Sequence, residues 1–151
     1  MEYVKKPLMN SKEADFLKKL QDGLKPLQVF PQVSMNAVLN VKFQKSFKDR
    51  IPFASKIIDY VVCIPKTFDI VSVIEFDSAW HDSPERKKKD KERDKLMESA
   101  GYIVIRYDWR DMPSSEKLKN DFRRILVKYH IFKGISPSEL EKRIARLHDD
   151  L

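Results

Sequence analysis

Apolar residues recur along the chain with two different periods, and the places where one period gives way to the other mark the elements. Phe16, Leu17 and Leu20 share one face of a helix that Asn10 can cap; Gly23 ends it and Pro26 prevents its return. Leu27 to Val33 (LQVFPQV) alternates and predicts a strand, with Pro31, which has no N–H to donate, placing it at a sheet edge or a strand end. Ser34 to Asn40 predicts a short helical turn. Val41 to Lys56 follows neither period and reads as a loop, ordered around a ligand. Two strands follow, Ile57 to Ile64 and Ile70 to Asp77, joined by PKTFD as a short hairpin turn. Ser83 and Pro84 are an N-cap and first-turn pair for a helix to about Ala100 that Gly101 closes. Tyr102 to Tyr107 (YIVIRY) predicts another strand. Leu118, Phe122, Ile125 and Tyr129 line one face of a helix from about Ser115 to Tyr129, and SPSE, at Ser136 to Glu139, opens a last helix as a capping box. The order is helix, three strands, helix, strand, two helices, an α/β fold.

Composition narrows the class. With 151 residues and 42% hydrophobic content, the chain fits one domain over 1–151, its core at about 8–110 and C-terminal helices at about 115–150. Thirty Lys and Arg against twenty-three Asp and Glu give a net charge of +7, which favours a polyanionic partner and makes nucleic acid, DNA first, the leading class. The single cysteine, Cys63, excludes intrachain disulfides and Cys-based zinc sites. No apolar window approaches a membrane span, so a cytoplasmic protein without a membrane partner is expected, as monomer or homodimer.

The chemistry gathers in VIEFDSAWHD, Val73 to Asp82. Side chains alternate along a strand, so Val71, Val73, Glu75 and Asp77 share a face. In a regular hairpin Asp59 and Glu75 are equidistant from Thr67 and stand opposite each other. Opposed carboxylates in an apolar hairpin repel and need compensation. A divalent cation supplies it, and Mg²⁺, bound through few protein carboxylates and otherwise by waters and phosphate oxygens, is the ion of phosphodiester hydrolysis.

This constellation resembles the PD-(D/E)XK, or restriction-endonuclease-like, nuclease superfamily: a helix, a three-strand antiparallel meander, a helix and a further strand. Asp59 matches the acidic residue of the family's second strand and Glu75 that of the third, and Glu13 fits the glutamate many members carry on the first helix. IEFDSAWHDSPERKKKDKERDKLMESAGYIVIRYDW, with LMNSKEADFLKKL and VFPQV before it, looks most like very-short-patch-repair-type endonucleases and related uncharacterised bacterial domains. The resemblance implies a restriction-endonuclease-like core with extra C-terminal helices and a Mg²⁺- or Mn²⁺-dependent deoxyribonuclease that cuts or nicks DNA. Asp59, Glu75 and Asp77 would hold the metal, and His81 would assist the attacking water. Where the family has a lysine after the third-strand acid, this chain has Asp77. A nucleic-acid-binding module that kept the fold and lost catalysis is therefore the alternative. A relaxase-like strand transferase, for which no tyrosine stands out as nucleophile, and a protein-interaction domain are the others.

Each residue also has a structural reading. Glu13 completes a capping box with Asn10; Asp59 is a buried acid paired with a lysine such as Lys56; Asp77 accepts from Arg93 or caps the next turn; His81 packs in a loop. The run ERKKKDKERDK reads as a solvated helix face by its charge alternation. Its apolar residues are confined to the last turns, so Lys87, Lys88, Lys89 and Arg93 are expected beside the acidic site as phosphate contacts, joined by Arg106 at the end of the next strand. Phe43, Phe47 and Phe53 interleave with Lys42, Lys45, Lys48 and Arg50, a pattern that suits stacking on exposed bases but more often means packing beneath a loop.

Overall fold

A computed structural model of the chain describes residues 1–78 and 83–134, together with positions 136, 138, 139, 142, 145 and 146. Its strands pair in chain order. β1 (Gln28–Ser34), β2 (Ile57–Cys63) and β3 (Ile70–Asp77) form an antiparallel meander, and β4 (Val104–Asp108) lies parallel to β3, giving a sheet of order β1-β2-β3-β4. A parallel pair needs a crossover, which α3 (Pro84–Ser99) supplies. Pro31 sits on β1, an edge strand, where a missing donor costs the sheet nothing.

Each face of the sheet is covered. On one, α1 (Ser11–Gly23) and α4 (Ser115–Phe132) bury Phe16, Leu20, Leu118 and Phe122 against Tyr60, Ile74, Phe76 and Tyr107. Phe16 is the hub, stacked on Phe76 at 4.3 Å between ring centres and meeting Tyr60 edge-on at 5.4 Å. On the other face, α2 (Met35–Val38) and the last turns of α3 bring Met35, Leu39 and Met97 onto Ile58, Val61 and Val73, with Phe53 among them. Among the described residues no helix is long and apolar enough to cross a membrane.

Several boundaries differ from those the pattern predicts, each for a local reason. Tyr102 belongs to the turn after α3, its N–H bonded to Met97 O and its hydroxyl donating to Val38 O at 2.6 Å, so β4 starts at Val104. The PKTFD connection is not a plain hairpin turn: Lys66 and Phe68 have positive φ, and a bulge lies at Val62 and Cys63. The segment expected to be irregular contains a 3-10 turn at Phe47–Arg50, closed by a Ser46–Asp49 capping box. Of the last predicted helix, Ser136 Oγ accepts from Glu139 N at 3.3 Å, and most of its other residues lie outside the described set.

Candidate functional site

The polar site begins as an interruption of the sheet. Tyr60 pairs with Ile74 and Val61 with Val73, the register centred on Thr67, but the β2–β3 ladder stops one residue short of Asp59 and Glu75. There the Asp59 side chain takes over, its Oδ2 accepting from Phe76 N at 2.8 Å. On the β1 side the ladder skips Gln32, which has φ 54 and sends its Nε2 to Glu13 Oε2 at 3.1 Å. At the level of Asp59 regular pairing is thus broken toward both neighbouring strands, which makes room for a carboxylate.

Glu75 is 2% exposed. Arg93, reaching down from α3, places Nη2 3.0 Å from Glu75 Oε2 and 3.6 Å from Asp90. Burial pushes the Glu75 carboxyl up to about 8; Arg93 pulls against this, while the charge of Asp59 and a hydrogen bond with its side chain add to it. Near neutral pH the buried Glu75 carboxyl is therefore biased toward its protonated, neutral form beside Asp59.

Next along the same face, Asp77 accepts from Arg106 Nη1 at 2.6 Å. Arg106 stands beside Glu75 in the parallel β3–β4 register and also grips Asp94 of α3, through Nε at 3.0 Å and Nη2 at 2.9 Å. The underside of α3 is consequently charged at Asp90, Arg93 and Asp94 and turns apolar only at Met97, all at helical spacing. Lys87, Lys88 and Lys89 face solvent on its outer surface.

Glu13 does what a capping box asks: its Oε1 accepts from Asn10 N at 3.1 Å while Asn10 Oδ1 accepts from Glu13 N at 2.8 Å. Its backbone oxygen also takes the Tyr60 hydroxyl at 2.6 Å, which fixes the start of α1 at this end of the sheet. A pocket of about 570 Å³ there is lined by Asn10 to Glu13, Phe76, Asp77, Ser78, Arg86 and Trp109. Lys12 Nζ lies 3.5 Å from the centre of the Trp109 ring.

The structure thus brings Asp59 and Glu75 together, sets Asp77 on the same strand face, and places Glu13 and Asp77 on one pocket. His81 lies outside the described residues. Arg93 and Arg106, expected among the phosphate contacts, are turned inward as partners of Glu75 and of Asp77 and Asp94. Asp59 takes a backbone N–H, that of Phe76, where a lysine such as Lys56 was the expected partner. Periodicity alone misses Asp90, Asp94 and Gln32; the signal for the first two is their spacing with Arg93 and Met97, a face that apolar counting does not see. Among the described residues no three His, Cys, Asp or Glu side chains form a metal-binding group, and the pair Asp59–Glu75 is what stands at the centre.

A family model described as Protein of unknown function (DUF2726) matches residues 5–125. The chain belongs to the DUF2726 family. That match runs from before α1 into α4, so every element that carries the acidic site is part of the DUF2726 region. Comparison with curated proteins found no match, and neither did comparison with solved structures.

Proposed function

We propose that this DUF2726 protein is a metal-dependent nuclease that hydrolyses phosphodiester bonds of DNA on a restriction-endonuclease-like core. One observation carries the reading: carboxylates from two neighbouring strands, Asp59 and Glu75, touch at the end of a sheet, in a gap where the ladder is interrupted for them. Around them, Arg93 engages Glu75 and Asp90 and Arg106 engages Asp77 and Asp94, so four acids are gathered about two arginines beside Asp59. The Asp59–Glu75 pair, two carboxylates and no more, suits a hard divalent cation that keeps most of its waters. Asp59 and Glu75 would hold it, Mg²⁺ or Mn²⁺, and when bound it would acidify a water and neutralise charge developing on phosphate.

The chain's own groups do the rest. Holding a cation there would need Glu75 ionised and released from Arg93, which would leave the Arg93 guanidinium available to a phosphate. Arg106 holds Asp77 against the site, and would supply positive charge beside the residue that stands where the resembled nucleases have a lysine. His81 is assigned to the attacking water. Lys87, Lys88 and Lys89 anchor the nucleic-acid backbone from the rim.

Incubating the purified chain with labelled duplex, single-stranded and mismatched DNA, with and without Mg²⁺ or Mn²⁺, tests this reading. Metal-dependent cleavage is expected, reduced to background in Asp59→Asn and Glu75→Gln. The seating of Arg93 on Glu75 and of Arg106 on Asp77 favours a second reading, a nucleic-acid-binding module without catalysis. Binding without cleavage of any substrate would replace the first reading by the second.

A further inference from the structure

The segment between α2 and β2 is tied to its neighbours by hydrogen bonds and yet shows aromatic residues to water. Phe43, Phe47 and Ile51 are 80%, 71% and 64% exposed, while Phe53 of the same segment is buried against Met35 and Ile58. Looseness does not explain this. Arg50 ties the segment from inside, its Nε donating to Asn36 Oδ1 at 2.7 Å, Nη1 to Gln44 Oε1 at 3.0 Å and Nη2 to Leu39 O at 3.0 Å. Met35 N donates to Lys56 O at 2.9 Å, which brings the two ends of the segment together. Three large apolar side chains exposed within nine residues of a segment tied down by hydrogen bonds are an available surface, and the groups interleaved with them decide what it suits.

Charge says which partner. Lys42, Lys45 and Lys48 are exposed among those aromatics, and Lys42 Nζ lies 5.5 Å from the Phe43 ring centre. Asp49, the only acid between Asn40 and Lys56, is turned onto the backbone N–H groups of Lys45 and Ser46 at 2.9 and 3.2 Å. Apart from Asp49, which is exposed but engaged by those N–H groups, the outward surface interleaves aromatic faces with positive charge, complementary to a strand that offers unstacked bases and phosphates. Its position agrees: the segment enters β2 at Ile57, two residues before Asp59, at the same end of the sheet as Glu75 and Asp77.

We infer that the α2–β2 segment is a stacking platform for unpaired bases, on which Phe43 and Phe47 take bases while Lys42, Lys45 and Lys48 hold the intervening phosphates. It rests on the proposed function for its nucleic-acid partner and adds that the strand delivered to the acidic pair is single-stranded or locally opened.

Binding of the full chain to a labelled single-stranded DNA, the same sequence as RNA, and the DNA duplex, all in EDTA, tests it. Single strands should bind more tightly than duplex, and Phe43→Ala and Phe47→Ala should each weaken single-strand binding about tenfold with the melting temperature unchanged. Quenching of a 2-aminopurine base in the strand should be lost in Phe43→Ala and restored in Phe43→Trp. Lys42→Ala, Lys45→Ala and Lys48→Ala should each flatten the salt dependence. Equal single-strand affinity in wild type and both phenylalanine variants overturns the platform, as does partitioning onto anionic phospholipid vesicles with no oligonucleotide binding. If the platform variants behave as expected but nothing is cleaved with metal, the nuclease reading fails and the platform stands; cleavage with unaltered binding in the variants is the reverse.

Discussion

Glu75 is a carboxyl group that folding makes harder to ionise, from an ordinary value of 4.5 to about 8. Between those values the folded chain holds a proton that the unfolded chain has lost, so stability declines as pH rises through that window and is complete only below it. Melting temperature measured from pH 5 to pH 9 should fall in the wild type. In Glu75→Gln the curve should flatten and lie above the wild type at the alkaline end; parallel curves would remove Glu75 as the source. The same proton competes with a cation, and so does Arg93. Mn²⁺ should therefore raise the melting temperature of the wild type more than that of Glu75→Ala, and raise that of Arg93→Ala most of all, because a ligand that binds only the folded state stabilises it in proportion to its affinity. Thermal melts with and without the ion decide this, and equal shifts in all three proteins would speak against Asp59 and Glu75 as ligands.

At the scale of elements, α3 has two unlike halves. Its last turns are anchored by Met97, 1% exposed, and its earlier turns by the Arg93 and Asp94 ion pairs. Met97→Ala removes a buried side chain from the second core cluster and should cost about 2–5 kcal/mol in urea denaturation, whereas Lys88→Ala on the exposed surface should stay within about 0.5 kcal/mol. For α1, Asn10→Ala should cost about 1 kcal/mol by leaving the first turn's donors without the capping box. These helices are legible because capping residues and apolar spacing are local signals: Asn10 and Ser83 cap where their side chains suggest. The polar half of α3 is not. Arg93 and Asp94 owe their inward orientation to Glu75 and Arg106, residues on other elements, and a run of alternating charges looks the same whether water or a buried acid faces it.

For the whole molecule, the strand meander and the meeting of Asp59 with Glu75 can be read from the distance of each from Thr67, because hairpin pairing is symmetrical. The bulge near Val62 and the broken ladder at Gln32 cannot, since neither leaves a mark on hydrophobic alternation. Nor can the exposure of Phe43 and Phe47 beside a buried Phe53, which depends on how Arg50 folds the segment. The net charge of +7 belongs to this scale as well. DNA affinity should fall steeply with salt, and replacing Lys87, Lys88 and Lys89 by alanine should reduce the slope of log K against log salt by about 0.9 for each phosphate that is no longer neutralised; an unchanged slope would mean that α3's outer surface is merely solvated.

The distortion of β1 has an effect beyond the acidic site. An edge strand with all its donors and acceptors aligned is a template on which another chain can add a strand, and from there a sheet can grow from molecule to molecule. Pro31 offers no N–H, and Gln32, with φ 54, turns the backbone out of the extended form at the next residue. A second copy laid along β1 would lose its register in the middle of the strand. Strand addition is disfavoured on this side by the same stretch of β1 at which the pairing with Asp59 is interrupted.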